Sequence, residues 1–466
     1  MTVYPVSAVF MLLWLWVTLK DPDKGLTVAL AAFPFGMLAA VNAGGLSILM
    51  AHALAAMTLA VFALRRVSGR LAPMRMPPAG IYLWFFGLYA LFSAIILVRL
   101  FSGTFLVFPM SFDLKGVAVS TAFYSTMKPL AVSNSNLSQA GYILLSCIFF
   151  LVVADVLSRR GPAIVEAGLV WAAGLNVVLG FVDMLGADDL LSVIRTAHYS
   201  LNNHHVFFGF PRVIGGFAEA SEFGAFSATM FAYFGLSFLI GRKRLHGQLA
   251  LGNLACAALS FSSTGYASVF AAVIVILLSS RRFLGRGISW AFGHGVIFVP
   301  AIVGIGLSVA LITTPLLDLV GDVTEFLFVE KAMSSSGLER MAWARSALNA
   351  VFQTWGLGAG VGSLRANGLI AVLLGSVGIP GTVAFIAFVW TAFRPIGSVD
   401  DANAMRYFHA ARAAALTLLS AKLVSGTTPD PTLVLMAVAA VATHARLRSV
   451  SSTRAAAAPD ALIYKG

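Results

Sequence analysis

Long apolar runs recur along the whole chain, and they constrain its fold more than any other feature of the sequence. Runs of roughly 17–25 residues are what an α-helix needs to cross the hydrocarbon core of a bilayer. Only 11% of the residues are charged, whereas about 25% would be typical of a soluble domain. The chain is therefore predicted to be an all-α polytopic membrane protein, because a transmembrane β-barrel would show shorter alternating segments.

The apolar runs predict about 13 membrane-spanning helices, within a range of about 12–14. The N-terminal sequence MTVYP has no basic residue, so the first run is predicted to be a retained span rather than a signal peptide. The predicted spans cover residues 4–19, 26–42, 46–64, 80–101, 136–157, 161–182, 222–241, 247–263, 265–280, 289–312, 367–394, 408–426 and 431–446.

Lysine and arginine concentrate in one alternating set of connecting segments, such as SRRGP (158–162) and GRKRLHG (241–247). This set holds 20 of the 31 basic residues, although its segments are short. By the positive-inside rule these segments are cytoplasmic, so the N-terminus is predicted outside and the C-terminus inside. Topology thereby accounts for the net charge of +12, and no nucleic-acid partner is predicted.

A single membrane domain is predicted over 1–448, followed by a disordered cytoplasmic tail over 449–466. Three long segments fall on the outer side, at 102–135, 183–221 and 313–366. Long loops tend to carry function, because a rigid scaffold positions them at the surface. Functional side chains are therefore expected in these three segments.

The third outer segment contains a predicted amphipathic helix, LERMAWARSALNAVFQTW (338–355). One face is apolar at helical spacing, and Arg340 and Arg345 fall at its two edges. Such a helix is expected to lie in the membrane interface with its apolar face towards the lipid. The apolar face consists of Met341, Ala344, Leu348, Phe352 and Trp355.

Four arginines on the predicted outer side are candidate phosphate ligands, because the positive-inside rule makes basic residues uncommon there. Arginine suits bidentate contact with phosphate oxygens, and a lipid-linked diphosphate would place its phosphates at this depth. The alternative is that these side chains anchor the protein to lipid headgroups. The four are Arg212, Arg340, Arg345 and Arg365.

The segment PRVIGGFAEASEFGAF (211–226) places two carboxylates close to Arg212 in sequence. Glu219 and Glu222 are three residues apart at a helix start, so they share one face. Either is a candidate general base towards a sugar hydroxyl, or the partner that orients Arg212. The structural alternative is that both simply favour the helix N-terminus, with Ser221 as its cap.

His204 and His205 are further candidate bases, in the outer sequence TAHYSLNNHHVFFGFPR (196–212). The alternative is that they are polar residues of a loop without a chemical role. A metal site would need carboxylates or cysteines at set spacings, and no such pattern accompanies these histidines. No metal and no other cofactor is therefore predicted.

Three other features have both a structural and a functional interpretation. The glycine run GLGAGVGSLRANG (356–368) is predicted to be a flexible turn, whose N–H groups would still be able to bind an oxyanion. Lys422 lies inside a predicted span, where it either has a function or extends to the outer interface. Asp430 lies between two prolines, for which a turn is a sufficient explanation.

Several of these motifs, taken in order, resemble the O-antigen polymerase and ligase superfamily. The sequence 211–226 resembles the Arg–Gly–Phe segment that opens a span in that family, and SFSSTGYASVFAAVIVIL (260–277) is similar to the Ser/Thr-rich start of a later span. Residues 334–368 and LLGSVGIPGTVAFI (373–386) resemble its large periplasmic loop and the glycine-rich span that follows. The resemblance covers roughly residues 205–395.

The resemblance implies a metal-independent integral membrane glycosyltransferase of the bacterial inner membrane, with its active site facing the periplasm. Such enzymes transfer a glycan from undecaprenyl diphosphate to an acceptor sugar, and the leaving diphosphate needs charge stabilisation. Arg212 and Arg340 match the family's arginines and would hold the diphosphate, with Arg345 and Arg365 in support. The base remains open among the residues Glu219, Glu222, His204 and His205.

Three functions remain as hypotheses. Ligases of the family carry a histidine in the large loop, and residues 313–366 contain none, so the chain looks more like the exopolysaccharide polymerase branch. A ligase that transfers glycan to lipid or protein is the first alternative. A transporter of polysaccharide or lipid-linked glycan is the second. A polymerase would share its pathway with a chain-length regulator and a flippase, which are the expected partners besides the lipid-linked substrate and membrane lipid.

Overall fold

The computed structural model describes residues 4–43, 46–110, 127–198, 206–207, 210–280, 335–396 and 401–456. These residues form mostly α-helices, joined by short segments and three two-stranded antiparallel sheets. The helices are α1 Pro5–Lys20, α2 Gly25–Ala31, α3 Met50–Val67, α4 Pro78–Leu100, α5 Asn134–Arg160, α6 Ala163–Met184, α7 Asp188–Ser192, α8 Ala220–Gly241, α9 Arg244–Leu259, α10 Ser263–Ser280, α11 Ser335–Gln353, α12 Leu369–Phe393, α13 Ala402–Ser425 and α14 Leu433–Ala456. The strands are β1 Ala39–Ala43, β2 Leu46–Leu49, β3 Leu106–Val107, β4 Lys128–Pro129, β5 Val206–Phe207 and β6 Phe210–Pro211, paired in that order.

Seven helices within the described ranges are long and apolar enough to cross a membrane, namely α3, α4, α5, α6, α8, α10 and α12. This confirms the prediction of a helical multi-pass membrane protein. The predicted spans 136–157, 161–182, 222–241 and 367–394 each coincide with one of these helices. The predicted span 289–312 lies outside the described residues.

The predicted span over 26–42 is not one continuous helix. Helix α2 ends at Ala31, and its seven residues are too short to cross a bilayer, because a helix rises about 1.5 Å per residue. The sequence FPFG follows, and Pro34 supplies no N–H to continue the helix. The chain then continues as strand β1, which pairs with β2, and the next helix begins at Met50.

Helix α8 is the most enclosed helix of the bundle. It packs against α9, α10 and α13, and aromatic side chains such as Phe223, Phe231 and Tyr233 are fully buried on it. Gly224 lets α8 approach α10 closely, because a Cβ there would lie 2.6 Å from Ser260 Oγ and 2.9 Å from Gly265 Cα. The start of α8 is thereby fixed against the turn between α9 and α10.

Helix α12 is broken at Gly378, whose φ of +61° is not helical, and Pro380 follows within the same helix. A break inside a membrane leaves backbone groups that must be satisfied by the protein. The glycine segment 356–368 satisfies them: N–H groups of Ala359 and Gly360 donate to the carbonyl oxygens of Gly375 and Ser376 at 2.8 and 3.0 Å. Ile379 N–H donates in turn to the Gly356 carbonyl at 2.8 Å.

The glycine segment is therefore not a flexible turn. Ala359 and Val361 within it are fully buried, and the Val361 carbonyl accepts a hydrogen bond from Asn136 Nδ2 at 2.7 Å. Gly358 N–H donates to the Thr354 hydroxyl. Because these N–H groups already have partners, the predicted oxyanion nest is also wrong. These positions need glycine because the backbone is left-handed there and neighbouring atoms lie close. A glycine-rich sequence alone does not show whether the glycines serve this purpose or bind phosphate.

Substituting Gly362 by alanine is expected to destabilise the protein by about 3 kcal/mol, because the site combines backbone strain with overpacking. Gly362 has a φ of +76°, and a Cβ there would lie 2.3 Å from the Ser135 carbonyl oxygen. Gly69→Ala is the matched control, since Gly69 has a φ of +71° and nothing within 4 Å of its Cβ position. The control loses only the stability that left-handed backbone costs a residue with a Cβ, which is about 1 kcal/mol. Equal melting temperatures of the two purified variants would contradict the close packing.

Short basic segments from three parts of the chain meet at one end of the bundle. The Asp23 carboxylate lies 3.1 Å from Arg65, 2.7 Å from Arg159 and 2.8 Å from Arg160. Burial alone would raise the pKa of Asp23, but hydrogen bonds from Arg159 and Arg160 hold it below its ordinary value. The ion pairs join the loop after α1 to the ends of α3 and α5.

Helix α14 continues to Ala456, into the tail that was predicted to be disordered. The tail sequence SSTRAAAA (451–458) is rich in alanine, which has the highest helix propensity, and elongating an existing helix avoids the cost of nucleation. Residues 449–456 are therefore helical, whereas a disordered tail was predicted from residue 449 onwards. Residues 457–466 lie outside the described part of the chain.

Candidate functional site

Arg212 lies in the short segment that leads into α8, and a buried ion pair fixes this segment. Asp183 Oδ2 accepts hydrogen bonds from the N–H groups of Ile214 and Gly215 at 2.6 and 2.9 Å. Asp183 Oδ1 lies 2.5 Å from Arg195 Nη2, and Arg195 also donates to the Gly215 carbonyl. The backbone two and three residues after Arg212 is therefore held by two charged side chains that solvent barely reaches.

The two glycines in this segment serve close packing rather than ligand access. Gly215 has a φ of +54°, and a Cβ there would lie 2.8 Å from the Phe223 ring. A Cβ on Gly216 would lie 2.4 Å from the Pro34 carbonyl oxygen, and the Gly216 carbonyl accepts a hydrogen bond from Met37 N–H. The residues that lead into β1 therefore contact the glycines that follow Arg212.

Arg212 is half-buried and interacts electrostatically with Glu219, Tyr266 and Arg340. Burial lowers its pKa most, and the positive charge of Arg340 lowers it further, whereas Glu219 and Tyr266 act in the opposite direction. Its Nε lies 3.5 Å from the Ser260 carbonyl oxygen, the outer limit of a hydrogen bond. Two arginines that are 128 positions apart in the sequence therefore lie within electrostatic range of each other.

Glu219 and Glu222 occupy different environments at the start of α8. Glu219 is the N-cap residue, and its Oε2 accepts a hydrogen bond from the Ser221 hydroxyl at 3.0 Å. Ser221 lies inside the first turn, so the prediction that it caps the helix is wrong. Glu222 is exposed and interacts electrostatically with Glu219 and Lys422. It faces an open surface rather than the packed core.

Lys422 and Asp430 extend this charged cluster inwards. Lys422 Nζ donates to the Asp430 carbonyl oxygen at 2.8 Å. The Asp430 side chain is buried, and its Oδ1 accepts hydrogen bonds from the Ser146 hydroxyl at 2.7 Å and from Thr432 N–H at 3.2 Å. Lys422 therefore contacts the Asp430 backbone rather than extending to the interface, and the bond from Thr432 N–H gives Asp430 the turn that was predicted for it.

His52 and Tyr142 belong to the same region and were not predicted as site residues. Both interact electrostatically with Asp430, and their rings are in edge contact with centroids 4.8 Å apart. His52 Nδ1 is buried and has no hydrogen-bond partner among the described residues. An ionisable residue inside the predicted span 46–64 is the signal that would have found His52.

Helix α11 carries Arg340, and its small residues rather than its predicted apolar face contact the bundle. The helix packs on α12 through small residues, including Ala347 and Ala350, which are buried. Ala347 lies against Gly375, where an added Cβ would come within 2.9 Å. The predicted apolar face is turned away from the bundle, and Phe352 is 80% exposed and Trp355 82% exposed. Such an exposed face fits the predicted contact with lipid.

The remaining two arginines are not placed beside Arg212. Arg345 is exposed on α11. Arg365 lies with its guanidinium carbon 4.8 Å from the centroid of the Trp343 ring, near the Glu339 carboxylate. Burial lowers the pKa of Arg365, and Glu339 opposes that change. Arg365 thus contacts the helix that carries Arg340, whereas the Arg345 side chain is exposed on the surface of that helix.

His204 and His205 lie outside the described residues, so their positions are not assigned. Among the residues that are described, no group of three or more histidine, cysteine, aspartate and glutamate side chains is arranged to hold a metal ion. The charged side chains that the structure describes at the site are those of arginine, lysine, aspartate and glutamate. Such a set can bind an anionic ligand and accept a proton from a neighbouring hydroxyl.

Comparison with known proteins does not assign the chain to a family. A search against protein-family models finds no match. A search of curated proteins finds no significant relative either.

Proposed function

We propose that this chain is an integral membrane glycosyltransferase that polymerises oligosaccharide repeat units carried on undecaprenyl diphosphate. The polymer is a surface or exported polysaccharide, and the reaction takes place at the periplasmic face of the bacterial inner membrane. The single observation that carries the proposal is the electrostatic interaction of Arg212, in the segment before α8, with Arg340 on α11 and with Glu219. The motif resemblance in residues 205–395 supplies the substrate class.

Two arginines held close together repel each other, so a bound dianion stabilises the arrangement. A diphosphate suits this role, because planar guanidinium groups form paired hydrogen bonds to phosphate oxygens. The same contacts strengthen as negative charge accumulates on the departing diphosphate, which is the condition for catalysis by electrostatic stabilisation. Arg212 and Arg340 therefore act as the leaving-group clamp, and Arg365 supports the position of α11.

The transfer step needs one base. The acceptor hydroxyl oxygen attacks the anomeric carbon of the donor chain, the bond from that carbon to the diphosphate oxygen breaks, and the hydroxyl proton moves to a carboxylate. Glu222 is open to the outside and Glu219 is next to Arg212, so these two carboxylates are the candidates on the described part of the chain. The released undecaprenyl diphosphate carries the negative charge away.

The topology is part of the proposal: about 13 spans, an outer N-terminus and an inner C-terminus. Helix α8 runs from Ala220 to Gly241, and Gly241 lies against Arg406. The helix spans about 33 Å at 1.5 Å per residue, so the arginine pair and the basic segments lie at opposite ends of the bundle. With the basic segments in the cytoplasm, the arginine pair faces the periplasm.

The test is a reconstituted reaction. Purified protein in detergent, given undecaprenyl-diphosphate-linked repeat units alone, is expected to produce a ladder of longer lipid-linked glycans on gels or in mass spectra. A ligase would leave the ladder absent and would consume glycan only when its separate acceptor is added. A transporter would leave the glycans unchanged, and the broken helix α12 does not favour it, because its freed carbonyls are already bonded to the glycine segment.

A further inference from the structure

Asp183 and Arg195 hold the backbone of Gly215 from both sides. Asp183 is in the last turn of α6, and Arg195 follows the short helix α7. Asp183 Oδ2 accepts the Gly215 N–H at 2.9 Å, and Arg195 donates to the Gly215 carbonyl through Nε at 3.1 Å and Nη2 at 2.8 Å. The two side chains also pair with each other, and they are only 8% and 4% exposed.

The carboxylate of Asp183 uses both of its oxygen atoms as acceptors. Oδ2 accepts from the N–H groups of Ile214 and Gly215, and Oδ1 accepts from Arg195 Nη2. An asparagine has a single acceptor oxygen, so its amide nitrogen would face either the two backbone N–H groups or the guanidinium donors. The position therefore needs a carboxylate, and a polar side chain of the same shape does not replace it.

The segment that carries Arg212 is held more firmly by this pair than by its other contacts. Arg212 Nε lies 3.5 Å from the Ser260 carbonyl oxygen, and Val213 N–H donates to the Leu259 carbonyl at 3.3 Å. Both distances exceed the 2.7–3.2 Å that is typical of such bonds, roughly speaking. The two backbone N–H groups that Asp183 accepts lie at 2.6 and 2.9 Å. The direction of the Arg212 side chain therefore depends mainly on the ion pair.

A second set of bonds holds the surrounding chain without the ion pair. Met37 N–H donates to the Gly216 carbonyl at 2.8 Å, and the Met37 carbonyl accepts from the N–H groups of Thr196 and Ala197, both at 2.9 Å. These bonds join backbone to backbone, so a change of side chain in the pair leaves them in place. Loss of the pair is therefore expected to loosen residues 212–215 more than the chain around them.

We propose that Asp183 and Arg195 are positioning residues for the transfer reaction and act through Arg212. They fix the backbone at Ile214 and Gly215, which sets the direction from which the Arg212 guanidinium meets the diphosphate. The inference rests on the proposed function, because it gives the pair a role in the same site. A displacement of about 1 Å in a group that stabilises the transition state lowers a rate by up to about 100-fold.

The test measures the joining of one repeat unit to the next by purified full-length variants, with the rate expressed per folded protein. Asp183→Asn is expected to lower this rate about tenfold or more, because the amide cannot serve both the backbone and Arg195. Arg195→Lys keeps the charge beside Asp183 but loses the paired contact with the Gly215 carbonyl, so a milder loss of about threefold is expected. This second variant decides the question if Asp183→Asn does not fold.

Asp188→Asn is the matched control. Asp188 also pairs with Arg195, at 3.2 Å, but its side chain is 72% exposed. An exposed ion pair contributes little, so this variant is expected to keep the wild-type rate within about twofold.

Each variant is also made in the Arg212→Ala background. If the pair acts through Arg212, neither Asp183→Asn nor Arg195→Lys lowers the remaining rate by more than about twofold, because the group that they position is absent. The inference is overturned if the losses are equal in both backgrounds, as for an ion pair that serves stability alone. It is also overturned if neither variant slows the protein when Arg212 is present. If wild type makes no ladder, or Arg212→Ala keeps the wild-type rate, the proposed function fails and the inference falls with it.

Discussion

Replacing Arg212 or Arg340 by alanine is expected to abolish long-chain polymer, with a fall in transfer rate of about 100-fold or more for each variant. Each substitution removes half of the guanidinium pair that is proposed to hold the departing diphosphate. Since the two side chains act on the same group, the double variant is expected to lose little more than either single variant. The measurement is the length distribution of glycan made by purified protein from lipid-linked repeat units.

The control for this prediction is Arg99→Ala. Arg99 lies on the same side of the bundle, near the end of α4, and its guanidinium donates to the Ile95 carbonyl one turn earlier in its own helix. It is exposed, so its loss is expected to change the rate less than about threefold. Wild-type chain length in both Arg212→Ala and Arg340→Ala would exclude the clamp. Arg212→Lys tests geometry, because a lysine restores the charge without the paired hydrogen bonds.

Helix positions were predictable wherever an apolar run was long and bounded by basic residues. The predicted span 136–157 corresponds to α5 because the apolar stretch ends at Arg159 and Arg160, which the protein uses in ion pairs. The segment 26–42 is not the single helix that was predicted, because hydrophobicity alone does not distinguish one long helix from a short helix followed by a buried hairpin. Pro34 within that run was the available signal.

The glycine segment 356–368 could not be interpreted from its own sequence alone. Its left-handed glycines resemble a phosphate cradle or a flexible linker, and only the break at Gly378, some 20 residues later, explains them. The pairing of Ala359 and Gly360 with carbonyls of α12 depends on how two segments pack. No periodicity in the sequence carries that information.

The site was predictable in part. Arg212 and Arg340 were singled out by the positive-inside bias and by the family resemblance, and in the structure the charge of Arg340 acts on Arg212. The bond from Lys422 to Asp430 and the contact between His52 and Tyr142 join side chains from separate spans. Such contacts depend on the helix order in the bundle, which the hydrophobic pattern does not determine.

The second large effect is expected at a buried ion pair far from the arginine clamp. Glu166 on α6 lies in direct contact with Arg406 on α13, and both side chains are more than nine-tenths buried. The Glu166 carboxylate also accepts a hydrogen bond from the Tyr407 hydroxyl at 2.9 Å, and Arg406 donates to the Ser237 hydroxyl at 2.7 Å. The pair therefore connects three helices at the predicted cytoplasmic end.

Glu166→Gln is expected to destabilise the protein by about 3–5 kcal/mol, because it leaves the Arg406 guanidinium buried without a counter-charge. The glutamine preserves the shape of the side chain, so the loss reports charge rather than packing. The double variant Glu166→Gln/Arg406→Met removes both charges and is expected to recover more than half of that loss. The measurement is thermal unfolding of the purified proteins in one detergent. Equal melting temperatures of the single and double variants would mean that the two charges are not coupled, and that the contact between α6 and α13 is held by its apolar neighbours instead.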